Sequence, residues 1–177
     1  MIFSETRLPG AFIIDLERIE DHRGFFARAF CQDEFEASGL ETSFVQANLS
    51  YNWRQGTIRG LHYQESPFAE DKLFRCTRGS MLDVIVDLRP DSPTYKEWIS
   101  VELSADNRRM LYVPKGFATG YQALEDDTES FYIVSHSFVP EAERGIRWDD
   151  PAFGIEWPQS DHVEISEKDG SWPDFVG

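Results

Sequence analysis

Apolar residues in this chain fall in short runs, and turn-forming residues break those runs at close intervals. Candidate strands lie at residues 12–16, 24–30, 44–50, 57–63, 73–78, 81–88, 97–103, 110–113, 116–124 and 129–138. Many short strands with frequent turns point to a sandwich or barrel. The clearest segment is 81–88, where Leu82, Val84, Val86 and Leu88 share one face and Met81, Asp83, Ile85 and Asp87 the other. Arg78-Gly79-Ser80 reads as a tight hairpin between two strands. One short helix is expected at 33–38, with Gly39 as its stop. The tail after Trp157 is polar and irregular. With no linker, repeat or low-complexity tract, residues 1–177 are expected to form one β-rich domain, a length that suits one sizeable core and is short for two.

The net charge of −15 repels nucleic acid and anionic lipid, so neither is expected as a partner. The apolar stretches are far shorter than a membrane span. Cys31 and Cys76 show no CxxC spacing, which suggests neither a disulfide framework nor a zinc site and fits a reducing compartment. The opening residues lack the pattern of a signal peptide, and the expected location is the cytoplasm. Basic residues concentrate between positions 23 and 78: Arg23, Arg28, Arg54, Arg59, Lys72, Arg75 and Arg78. They can line a pocket for a small anion such as a pyrophosphate, or simply be solvated charges on strand faces. Charge alone favours the second.

Several chemistries lack their signatures. No GxGxxG leads from a strand into a helix, and no GxSxG elbow or Walker lysine loop occurs. A cupin-type metal site needs a His-x-His pair and a later His, because a divalent ion wants three or four converging ligands. Here His62-Tyr-Gln64 supplies one imidazole, and Thr119 stands where the later one is expected. No metal or cofactor is therefore expected. What remains is the run Gly56-Thr-Ile-Arg-Gly-Leu-His-Tyr-Gln64, followed by Lys72. Imidazole suits proton abstraction near neutral pH, and Arg or Lys can stabilise an enolate oxygen or clamp a phosphate. An exposed strand edge with ordinary charges fits these residues equally well. His22, His136 and His162 read as surface or packing residues, Tyr132 as a packing tyrosine and Asp169 as a turn residue.

Taken together, several motifs resemble the dTDP-4-dehydrorhamnose 3,5-epimerase family. They are Asp21-His-Arg-Gly-Phe-Phe26, Gln46-Ala-Asn48, Arg59-Gly-Leu-His-Tyr-Gln64, Lys72-Leu73, Asp87-Leu-Arg89 with Ser92-Pro-Thr94, Pro114-Lys-Gly-Phe-Ala118, Trp148-Asp-Asp-Pro151 and Gly154-Ile-Glu-Trp-Pro158. The resemblance implies an all-β cupin-type double-stranded β-helix, or jelly roll, with short peripheral helices. It implies a homodimer that needs no cofactor and acts on a nucleotide-diphosphate sugar. By the same resemblance, His62 is the base that removes a proton beside the 4-keto group, oriented by Asp169. Lys72 and Arg59 surround the developing enolate, and Tyr132 returns a proton on the opposite sugar face. Arg23, Gln46, Asn48, Glu143 and Lys168 match positions that bind the nucleotide sugar. Three positions depart from the family pattern: Thr119 replaces its usual histidine, Arg28 a glutamate near the nucleobase, and Phe138 a tyrosine. They bear on nucleobase choice and on whether C3, C5 or both are inverted. Two other functions share these residues: a sugar-nucleotide 3,4-ketoisomerase, and a non-catalytic sugar-nucleotide-binding cupin.

The assignment carries a geometric conflict. Arg59 and His62 are three residues apart, so a regular strand points them to opposite faces. Glycine inside a strand often marks a bulge that re-aims side chains. A bulge or kink at Gly60-Leu61 is therefore expected, with Asp169 within hydrogen-bond reach of His62.

Overall fold

A computed structural model describes residues 1–159 and 161–176. The strands are β1 (Ile2–Glu5), β2 (Phe12–Asp15), β3 (Arg18–Asp21), β4 (Gly24–Ala27), β5 (Gln46–Asn52), β6 (Ile58–Gln64) and β7 (Lys72–Arg78). They continue with β8 (Ser80–Asp87), β9 (Trp98–Ser104), β10 (Met110–Val113), β11 (Phe117–Ala123), β12 (Thr128–Val134) and β13 (Glu143–Gly145). Two short helices, α1 (Gln32–Ala37) and α2 (Glu167–Gly170), lie at the periphery. One sheet runs β1-β2-β10-β7-β12-β5 and the other β13-β6-β11-β8-β9, all antiparallel, while β3 and β4 form a separate hairpin. This is the all-β jelly roll, with helices confined to its margins.

Side-chain alternation explains why two sheets suffice. The core between them takes Phe74, Cys76, Leu111 and Val113 from one sheet and Met81, Ile85, Val101, Leu103, Phe117 and Tyr121 from the other. On β8, Met81 and Ile85 face this core, whereas Val84 and Val86, with Leu88 just past the strand, face outward. That outward face is not left to water, because Ile146, Phe153 and Trp157, which follow β13, cover it. The outer face of the six-stranded sheet is covered by Phe35 of α1 and by Leu40, packed on Ile14, Leu73, Met110 and Tyr112. Both sheets are thus buried on both faces, which accounts for the nearly continuous burial of β8, β10 and β11.

Two readings of the sequence need correction. Arg78-Gly79-Ser80 does not close a hairpin: β7 and β8 belong to different sheets, and the turn carries the chain across the sandwich. Gly79 sits at φ +69°, and a Cβ there would lie 2.6 Å from Thr128 Oγ1. A tight glycine turn is thus compatible with a sheet switch as well as a hairpin, and local residues do not distinguish them. The tail after Trp157 also contains α2, whose N-cap Ser166 accepts a hydrogen bond from the Asp169 N–H. Ser166-Glu-Lys-Asp169 is close to a capping-box pattern, so a signal was present. Strands β1, β3 and β13 had no distinct apolar alternation and were not expected.

The conflict over Arg59 and His62 resolves at Gly60. Between β6 and β11, Thr119 pairs with His62 and Tyr121 with Arg59, so three steps on β6 oppose two on β11. That is a bulge. It places Ile58, Leu61 and Tyr63 with the outer cluster and leaves Arg59 and His62 facing the interior. The Gly60–Leu61 peptide is cis. A Cβ on Gly60, at φ +107°, would lie 2.7 Å from both Gly120 Cα and Thr119 O. Gly60→Ala is therefore expected to destabilise the fold by roughly 2–4 kcal/mol, since both backbone strain and overlap with another backbone must be relieved. The shift in denaturant midpoint measures this. A midpoint unchanged from the parent chain would mean that the two strands can separate at the bulge without loss.

Candidate active site

The interior opens into a trough where β5, β6, β12 and β7 approach one another. Two adjoining lobes of about 260 and 180 Å³ share His62, Lys72 and Tyr132. The outer lobe also meets Gln46, Asn48, Glu70, His136, Phe138 and Glu143, and the inner lobe Arg59, Thr119 and Asp169. His62 projects from the five-stranded sheet, whereas Lys72 and Tyr132 project from the six-stranded one. Imidazole and phenol therefore face the same space from opposite walls.

Each group is held by neighbours the strand pattern supplies. Asp169 Oδ1 lies 2.6 Å from His62 Nε2, and Asp169 Oδ2 accepts the Gly60 N–H at 3.1 Å. Burial pushes the Asp169 carboxyl up, but the hydrogen bond and charge of His62 and the Gly60 N–H outweigh it and hold it below its ordinary value. Beside an ionised Asp169, the neutral imidazole places its proton on Nε2, and in that tautomer Nδ1 is the nitrogen with a free lone pair. Arg59 Nε donates to Asn52 Oδ1 at 2.8 Å and its Nη2 to Tyr51 O at 3.0 Å, which fixes the guanidinium against β5. Tyr132 stacks on Phe74, with ring centroids 4.6 Å apart. Burial, with the acidic neighbours Tyr121 and Glu70, raises its pKa despite Arg59, so its hydroxyl keeps its proton.

Among the other expected residues, Gln46, Asn48, Thr119, Phe138 and Glu143 line the trough, and Lys168 pairs with Glu143 at 2.5 Å. Arg23 and Arg28 do not line it. Arg23 is at the exposed turn between β3 and β4 and pairs with Asp21, while Arg28 pairs with Glu34 of α1 at 2.8 Å. Glu70 and Gln64, to which the sequence reading gave no site role, and His136, which it read as a surface or packing residue, also line the trough. Glu70 pairs with Lys72 at 3.2 Å, Gln64 donates to Glu70 at 2.6 Å, and His136 bonds Ser137 O through Nδ1 at 2.8 Å. His136 shares the alternation of Tyr132 and Val134, a signal that was available. Among the described residues, no group of three or more His, Cys, Asp and Glu side chains is arranged to hold a metal ion.

The chain as a whole matches a known kind of protein. The sequence model of the family described as dTDP-4-dehydrorhamnose 3,5-epimerase matches residues 5–176. The chain belongs to the dTDP-4-dehydrorhamnose 3,5-epimerase family. A relative with that description from Methanothermobacter thermautotrophicus is 47% identical over 96% of this chain and 92% of its own. The crystal structure of the Bacillus anthracis dTDP-4-dehydrorhamnose 3,5-epimerase, with TDP and PPi bound, superposes with a TM-score of 0.94 at 41% identity, covering 98% of this chain and 99% of that one. A Legionella pneumophila epimerase in complex with dTDP-4-keto-L-rhamnose superposes at 0.88 and 37% identity, over 95% and 89% of the two chains. The jelly roll and the isomerase class of this epimerase-family chain follow from those matches.

Behind the inner lobe of the epimerase trough lies Asp83 of β8. It is fully buried; Oδ1 accepts from Thr119 Oγ1 at 3.1 Å and Oδ2 has no partner. Burial pushes this carboxyl up to about 8, against the Thr119 hydrogen bond and the Lys72 charge. A raised pKa means that the neutral form favours the fold. The stability it contributes is complete below the ordinary value of 3.8 and is lost as pH rises toward 8. Asp83→Asn removes this titration. Its Tm relative to the parent chain should climb as pH is raised from about 5 to about 8, and parallel Tm curves would refute a buried neutral carboxyl.

Proposed function

We propose that this chain inverts carbon beside the ketone of a dTDP-linked 4-keto-6-deoxy sugar, with His62 as base and Tyr132 as acid. The observation that carries the reading is their placement on opposing walls of one trough, with His62 hydrogen-bonded to a buried, ionised Asp169. A C–H next to a ketone becomes removable when the oxygen that receives its electrons is stabilised. His62 Nδ1 takes the proton, the C–H electron pair forms the enolate C=C bond, and charge moves onto the ketone oxygen. Lys72 and Arg59 supply the positive charge there. Tyr132 then gives its proton to the opposite face of the same carbon, and inversion follows because base and acid occupy different sheets. Neither redox chemistry nor a metal enters these steps.

The wider trough suits the nucleotide. Gln46, Asn48, Phe138 and Glu143 form its outer part, a mixture of amide, aromatic and charged groups that fits a base, ribose and diphosphate. Solved relatives hold TDP with PPi and dTDP-4-keto-L-rhamnose, which supports the same ligand class here. A homodimer completes the reading. The β3–β4 hairpin carries Ile19 and Phe26 at 71% and 69% exposure, and the edge strand β5 carries Leu49 at 61%. Arg23 and Arg28 do not line their own trough, and a second copy gives the hairpin a neighbouring trough to reach. The two free thiols, one of them buried, agree with a cytoplasmic setting.

Deuterium wash-in tests the mechanism. In heavy water, the parent chain should place label at C3, C5 or both and yield inverted product, as read by NMR. His62→Ala should lower exchange by at least about a thousandfold, and Tyr132→Phe should leave measurable exchange while impairing inversion. Near-parental exchange in His62→Ala would remove it as the base, and carbonyl migration without inversion would point to a ketoisomerase. Activity should also survive exhaustive chelation; loss to a chelator, restored by one divalent ion, would contradict the metal-free mechanism.

A further inference from the structure

Lys72, whose Nζ donates to His62 O at 3.3 Å, is influenced by two acidic groups that the mechanism above leaves idle. On the side of the outer lobe, Glu70 Oε1 lies 3.2 Å from Lys72 Nζ, and the two side chains are 7% and 10% exposed. The second Glu70 oxygen accepts a 2.6 Å hydrogen bond from Gln64 Nε2, and Gln64 Oε1 accepts the Val139 N–H. Glu70 is thereby fixed by two partners, one of them tied to the backbone of the next segment. On the interior side is Asp83, whose Oδ2 has no partner and which feels the Lys72 charge. A lysine side chain has four flexible carbons, and a buried ammonium without a counter-ion moves to the nearest carboxylate. Drawn to Asp83, Lys72 would withdraw from the trough.

We propose that Glu70 is a positioning residue that holds Lys72 in the trough, facing the ketone oxygen, against the pull of Asp83. This rests on the epimerase reading. Glu70 does not touch the reacting atoms; it acts by keeping Lys72 in place before charge develops, which is when preorganised charge is most effective. Burial keeps Asp83 protonated and a weak competitor while Glu70 remains. Without Glu70, the same lysine favours ionised Asp83 and is captured by it.

The experiment combines kinetics with chemical labelling. With a dTDP-linked 4-keto-6-deoxyglucose, Glu70→Gln should lower kcat about tenfold or more, with KM and dTDP affinity within about twofold of the parent. The loss should vanish in a Lys72→Ala background, and Asp83→Asn added to Glu70→Gln should restore part of the rate. Acetylation of Lys72 by acetic anhydride, followed by mass spectrometry, reads its position without any turnover. It should slow in Glu70→Gln and recover when Asp83→Asn is added. Fully additive losses with Lys72→Ala, a defect confined to KM and dTDP binding, or unchanged Lys72 labelling would each overturn the proposal. If Glu70→Gln fails to fold, Glu70→Asp carries the same comparisons, with smaller effects expected in the same directions. A parent chain that exchanges no sugar nucleotide would defeat the epimerase reading, and labelling would still decide whether Glu70 holds Lys72.

Discussion

Gly60 and Gly120 meet backbone to backbone, and much of the site depends on that contact. No other residue type allows β6 and β11 to approach so closely, because a Cβ on either glycine would lie 2.7 Å from a backbone atom of the other strand. The approach accommodates one extra residue on β6, and that residue changes which way the rest of the strand faces. Before it, Arg59 points inward; after it, His62 does too. The bulged backbone also donates the Gly60 N–H to Asp169, the carboxylate that orients His62. One irregularity thus aims two side chains and helps to hold a third.

The second organising feature is the gap between the sheets. Core residues fill most of it, but near β5 and β6 the inner-facing positions turn polar: Gln46, Asn48, Arg59, His62, Lys72 and Tyr132 replace the leucines and valines found further in. A sandwich offers two walls, and proton chemistry at a ring carbon has two faces to serve. His62 stands on one wall and Tyr132 on the other, so the fold itself supplies the separation that inversion needs. Burial pushes both nearby carboxyl groups toward the neutral form, but their partners decide opposite outcomes. At Asp169 the hydrogen bonds and charge of its neighbours outweigh desolvation, whereas at Asp83 desolvation outweighs the Thr119 hydrogen bond and the Lys72 charge, and the carboxyl stays protonated.

The covering layers explain a composition that misleads when read locally. The tail after Trp157 looks polar, yet Val163, Ile165 and Phe175 pack into the cluster on the outer face of one sheet, and Asp169 returns beneath β6. Many of its polar residues form the outer surface of that cover. Basic groups such as Arg59 and Lys72 face the trough.

Strand alternation was legible because its physical cause is local. On 81–88 a side chain lies inside or outside according to parity alone, and Met81, Val84, Ile85 and Val86 went where that rule put them. Gly39, at φ +72°, likewise follows α1 for a reason confined to its own backbone. The bulge at Gly60 was inferable from a glycine between two residues that one trough required. What sequence did not determine were the relations between distant segments. Gly79 shows only that the chain turns; whether it closes a hairpin or crosses to the other sheet depends on which strands find partners. The pairing of Glu70 with Lys72 and the isolation of the Asp83 carboxyl arise only when both sheets have packed, and the approach of Asp169 to His62 across 107 residues was expected only through the family resemblance, not from the residues themselves. The identity of a side chain sets what chemistry it can perform, but its partners and its exposure to water exist only in the assembled fold, and these decided which groups could act.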